Sequence, residues 1–139
     1  MHSISDLTIG RVFELFFDTL SKPPKPKMSV IVGMTGDRSE FATVFINTSV
    51  NMNLINNPTL QSLQIEIAPS PGYPYLKHNS FIDCSNLHTR FPESCLRELN
   101  AENGGRFLGY LPPQDLAKAI HLIKSNESLS SYKIRLYNL

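Results

Sequence analysis

The chain of 139 residues contains no tryptophan, only two cysteines, and few charges, with 18% of its residues Asp, Glu, Lys or Arg. Its 13 basic and 12 acidic side chains leave a formal charge of +1. That balance excludes a polyanion binder acting through bulk charge alone, while leaving room for a local basic patch. No apolar run approaches the roughly 18 residues of a membrane-crossing helix, so no membrane partner is expected. Residues 1–6 (MHSISD) lack the basic-then-apolar pattern of a secretory leader, and a cytoplasmic setting is expected. Cys84 and Cys95 belong to no CxxC or His-rich cluster, so no metal site is expected and both thiols are read as free and buried. Four familiar signatures are also missing: GxxxxGK[ST], GxGxxG, HExxH and GxSxG. Phosphate-loop, dinucleotide, zincin and serine-hydrolase chemistries therefore have no starting point, and no cofactor is expected.

What is present is a globular composition, 41% hydrophobic, at a length suited to one domain over 1–139. Residues 10–18 (GRVFELFFD) read as a first strand, rich in aromatic and β-branched side chains. The prolines of 20–26 assign that stretch to a loop. The apolar run 28–34 and the segment 41–48 read as buried strands, with a Thr-Gly-Asp-Arg turn between them. An asparagine-rich loop over 51–58 precedes 60–68, where Leu63, Ile65 and Ile67 alternate with polar residues as in a half-buried antiparallel strand. Residues 69–74 are turn-rich, and 79–87 read as a fifth strand.

Helical signals follow. Pro92 opens a short helix to about residue 100, ended by Gly104-Gly105. Residues 106–111 read as a short strand. Over 113–125, Leu116, Ala119, Ile120 and Ile123 form one apolar stripe. Alternation over 132–138 suggests a last strand. Strands without crossover helices exclude parallel βαβ order. The expected class is mainly β with helices (α+β): an antiparallel barrel or strongly twisted sheet, with core residues Val30, Ile31, Val32, Val44, Ile46, Ile65, Ile67 and Ile82.

The order of these pieces resembles the MazF/PemK toxin family. The likeness spans about 9–125 and is carried by a Gly-led strand (Gly10 to Asp18) and a Pro-Lys-Pro-Lys step before Met28-Ser29-Val30-Ile31-Val32. It continues through a strand closing on Asn47-Thr48, the run Ser80-Phe81-Ile82-Asp83-Cys84-Ser85-Asn86-Leu87-His88-Thr89, and Leu108-Gly109-Tyr110-Leu111 ahead of an amphipathic helix. The resemblance implies an SH3-like antiparallel β-barrel with a C-terminal amphipathic helix. It also implies a homodimer, a cognate antitoxin protein as partner, and metal-independent cleavage of single-stranded RNA. There the 2′-OH attacks the adjacent phosphate, a step that needs a base, a cation for the pentavalent phosphorus and an acid.

Carried onto this chain, the catalytic set is Lys27, Thr48, Asp83 and His88. Lys27 provides charge at the phosphate, Thr48 a hydroxyl, Asp83 a base and His88 an acid. Lys25, Asn47, Lys77, His78 and Ser85 are the expected RNA contacts. The sequence departs from the family at several of these places. Lys27 (or Lys25) stands where an Arg is usual, Ser85 and Asn86 replace an Asp-Gln pair, His88 stands where an Arg is common, and Asp83 where some members carry Arg. Lysine supplies charge without the planar fork of a guanidinium. These departures keep two other classes open: a non-enzymatic barrel toxin that binds a protein, as gyrase-poisoning relatives do, and a barrel retained as a nucleic-acid-binding or regulatory module.

Overall fold

The computed structural model describes residues 1–17, 25–48, 57–102 and 104–139. The readings of 20–24 and 51–56 as loops, and the side chain of Lys25, lie outside the described residues. A single 3₁₀ turn, Ile4–Asp6, precedes strands β1 (Arg11–Phe17), β2 (Lys25–Met34) and β3 (Phe41–Asn47). There follow α1 (Pro58–Gln61), β4 (Gln64–Ile67), β5 (Ser80–Asp83), β6 (His88–Arg90), α2 (Pro92–Asn100), β7 (Arg106–Tyr110), α3 (Pro113–Ser125) and α4 (Ser131–Leu136). Every strand pairing is antiparallel, in the order β4-β5-β3-β2-β1-β7, with β6 also on β3. The class is α+β. Among the described residues the path is open, ending on β4 at one side and β7 at the other. Among them, too, no helix is long and apolar enough to cross a membrane.

Both faces of the central strands are covered, which is why β2 and β3 read as near-continuous apolar runs. One face carries Val12, Val30, Val32, Val44, Ile46, Ile65 and Ile82, packed beneath Ala119 and Ile123 of α3. The opposite face carries Leu7, Phe13, Leu15, Ile31 and Phe41, packed against Cys95 and Leu99 of α2. All eight expected core residues are buried, with Ile31 in the second cluster and the others in the first. In the α3 stripe Ala119 and Ile123 are fully buried, and Leu116 and Ile120 partly. Both cysteines are free and buried, and burial pushes the Cys84 thiol up to about 12.

Four local expectations are corrected. Residues 132–138 are not a strand: Ser130 caps α4 by accepting from the Lys133 amide at 3.3 Å, and Tyr132, Ile134 and Leu136 find no partner strand. The loop over 20–26 stops earlier, because β2 begins at Lys25 and includes Pro26 opposite Phe16. Before Met28 the strand is paired to β1 alone, so the missing proline N–H interrupts no ladder with β3. Leu60 and Gln61 are helical, with Asn57 accepting from the Leu60 amide at 3.2 Å and Pro58 in the first turn. The strand expected over 79–87 ends at Asp83, and β6 resumes at His88. Ile82 faces Ile46 and His88 faces Thr43, so six steps along one chain span three along the other and residues 84–87 bulge from the ladder with β3, with Cys84 buried in the core. Asn126 closes over that bulge, donating to the Ser85 carbonyl at 3.0 Å.

Ile123→Ala should lower stability by about 2–5 kcal/mol in urea unfolding, because the side chain is wholly buried between α3 and the sheet. The exposed neighbour His121→Ala should stay within about 0.5 kcal/mol of wild type. Equal midpoints for the two variants would show that α3 is not docked on the sheet.

Candidate functional site

Register brings the first group together. Met28 pairs with Ile46, so the next residues outward, Lys27 and Asn47, lie side by side at the ends of β2 and β3. The Lys27 ammonium donates to the Asn47 side-chain oxygen and lies 4.9 Å from the centre of the Phe45 ring. His88 stacks on that ring, 3.9 Å between centroids and 21° from parallel. Burial pulls the Lys27 pKa below the usual lysine range, and the Asp83 charge opposes that pull. Burial likewise lowers the His88 pKa, with Asp83 opposing and Lys27 and Arg90 reinforcing.

Asp83 is held locally. One carboxylate oxygen accepts from Gln64 Nε2 at 2.8 Å, from the Ser85 amide at 3.0 Å, and from the Ser85 hydroxyl. Ser85 therefore serves as a cap on Asp83 beyond the strand end. The two groups expected to act as base and acid, Asp83 and His88, thus stand with Phe45 on the face of the sheet that carries α2.

A cavity of about 250 Å³ opens at the rim beneath the other face. Lys27, Asn47 and Thr48 form one wall, from the start of β2 and the end of β3. Tyr75, Lys77, His78 and Ser80 form another, from the segment that leads into β5. Glu14 of β1 and Arg106 of β7 complete the polar lining, joined by an ion pair of 3.2 Å between Arg106 Nε and Glu14 Oε1. Five of the expected site residues, Lys27, Asn47, Thr48, Lys77 and His78, therefore share one concavity drawn from separate stretches of the chain. Asp83, Ser85 and His88 do not line it.

Such an arrangement suits an anion: Thr48, Lys77, His78 and Arg106 bring a hydroxyl, an ammonium, an imidazole and a guanidinium to one opening, whereas the Lys27 ammonium and the Asn47 amide meet each other beside the Phe45 ring. Glu14, Tyr75 and Arg106 were missed in the sequence. Glu14 left a trace, as the single charge inside the apolar run Val12 to Phe17. Arg106 left none, because only its pairing with β1 decides which way it faces.

A histidine whose folded pKa is lowered binds its proton less readily folded than unfolded. Below about 6.5 the unfolded chain then takes up more protons, and stability falls as pH drops toward the folded value. His88→Gln removes this contribution. The drop in melting temperature between about pH 7 and about pH 5.5 should be smaller in the variant than in wild type. Identical drops would show that His88 is not desolvated on Phe45.

Neither a family model nor a curated protein matches the chain.

Proposed function

We propose that this chain is a toxin-like endoribonuclease of a toxin–antitoxin pair, cleaving single-stranded RNA without a metal ion through attack by the 2′-OH. The observation that carries the reading is the gathering of Lys27, Asn47, Thr48, Lys77 and His78 around one cavity. In the reaction the 2′ oxygen bonds to phosphorus and the bond from phosphorus to the 5′ oxygen breaks, leaving a 2′,3′-cyclic phosphate. Lys27 supplies positive charge to the pentavalent phosphate, and the Thr48 hydroxyl donates to a phosphate oxygen. His78 is the imidazole lining the cavity, and to it falls the exchange of the 2′-OH and leaving-group protons. Asp83 and His88 act one layer back, setting the charge and packing around Lys27 from across the Phe45 ring. Requirement for the 2′-OH makes RNA the substrate and spares DNA.

The same reading takes the twisted sheet as an SH3-like barrel. It takes the protein as a cytoplasmic homodimer whose activity is held in check by an antitoxin protein. A binding-only role is the second reading, favoured by one observation: the Lys27 ammonium is already engaged by Asn47 and lacks the fork of the arginine usual at that place.

Purified protein incubated with a long single-stranded RNA in EDTA should give discrete fragments with 2′,3′-cyclic phosphate ends. Lys27→Ala and Thr48→Val should each slow cleavage by about 10²–10³. Thr48 is exposed, so its variant should melt with wild type. Cleavage at wild-type rate by both variants would move the site elsewhere. No cleavage in EDTA or in Mg²⁺ would leave the binding-only reading.

A further inference from the structure

We propose that Arg106 supplies the guanidinium fork that position 27 lacks, binding a backbone phosphate of single-stranded RNA in the cavity, with Glu14 as the residue that aims it. The inference rests on the RNA reading above and adds a ligand contact on a strand that reading does not use.

A one-residue irregularity in the sheet carries it. β1 and β7 begin in register at Arg11–Tyr110 and Val12–Gly109, then resume at Phe13–Phe107 and Glu14–Arg106. Leu108 is the extra residue, a β-bulge. Continued without the bulge, the first register would set Glu14 opposite Phe107 and Arg106 opposite Leu15. Leu15 belongs to the buried cluster on the α2 face, so Arg106 would then face away from the cavity. With the bulge, Phe107 packs toward Phe13 in that cluster and Arg106 turns to the cavity across from Glu14. Gly109 permits the distortion with φ +154°, and the Tyr75 ring occupies the space that a side chain there would need.

The guanidinium is oriented but not consumed. Nε donates to Glu14 Oε1 at 3.2 Å, and among the described residues the two terminal nitrogens have no hydrogen-bond partner. The Arg106 side chain is 67% exposed and Glu14 23%, so the carboxylate is the fixed member and the fork the open one. Two free, parallel N–H groups match two oxygens of a phosphodiester. Lys27 also lines the opening, with its ammonium held by Asn47 beside the Phe45 ring.

The test measures binding apart from cleavage. A fluorescent single-stranded RNA with 2′-O-methyl groups cannot be cut, and its anisotropy is followed over a salt series. Arg106→Ala should weaken binding roughly 10- to 100-fold. It should also lower the slope of log affinity against log salt by about 0.7, the share of one phosphate contact on a single strand. Arg106→Lys should keep the salt slope and recover only part of the affinity. Arg97→Ala, an exposed cation on α2 outside the cavity, should bind as wild type. If Lys27→Ala weakens binding and Arg106→Ala does not, the role of Arg106 is overturned while the RNA reading stands. Full rescue by Arg106→Lys overturns the fork. If unmodified RNA is bound through Arg106 but never cut, Arg106 stands and the nuclease reading falls. If wild type binds no RNA, both fall.

Discussion

The antiparallel pairing of β2 with β3 is the constraint from which the rest of the molecule follows. These strands lie at the centre of the sheet and bury side chains on both faces, one set under α3 and the other under α2. Their register leaves no freedom about what stands at their ends. Because Met28 faces Ile46, the ammonium of Lys27 must meet the amide of Asn47, and Thr48 must sit at the mouth of the cavity. A slip of one residue would exchange the two core faces and scatter these polar groups, and the loss of buried area forbids it.

Polar chemistry is placed where that burial runs out. The α2 face is apolar around Phe13, Ile31 and Phe41, then gives way toward the end of β3 to Phe45, Asn47, His88 and Asp83. Half-burial there pulls the pKa values of Lys27 and His88 down, with Asp83 partly restoring them. Beneath the other face the cavity is lined by the exposed residues Lys77, His78 and Arg106, which remain open to an anion. The site so divides into a supporting side and a binding side, with Lys27 touching both.

Much of the sheet was legible because its strands are written as apolar runs or clean alternations. Val30-Ile31-Val32 and Leu63/Ile65/Ile67 leave little choice of structure. Residues 92–100 were legible from Pro92 at the first turn and the Gly104-Gly105 stop, and 113–125 from the prolines that open it and its apolar stripe. Tyr132, Ile134 and Leu136 misled because a six-residue segment satisfies a period of two as well as one helical turn, and Ser130 decides between them. The break at 84–87 was hidden because it depends on where β3 receives β6, a long-range match with no local mark. The same holds for the cavity. Lys27 and Thr48 were singled out by the family resemblance, through the segments that carry it, whereas Arg106 owes its direction to a bulge set by pairing with β1.

That last pairing also bears on how the chain comes to be folded during synthesis. Arg11 and Tyr110 lie 99 residues apart, and their side chains meet at 2.8 Å across the β1–β7 junction. At about 5–20 residues per second, a ribosome exposes the outer edge of β1 for on the order of 5–20 s before its cover is made. That edge borders Val12, Phe13 and Leu15, all fully buried in the finished fold. Glu14 is the charged residue within this apolar stretch. It gives the waiting edge a charge that discourages strand-to-strand association with another nascent chain, until Arg106 emerges to neutralise it.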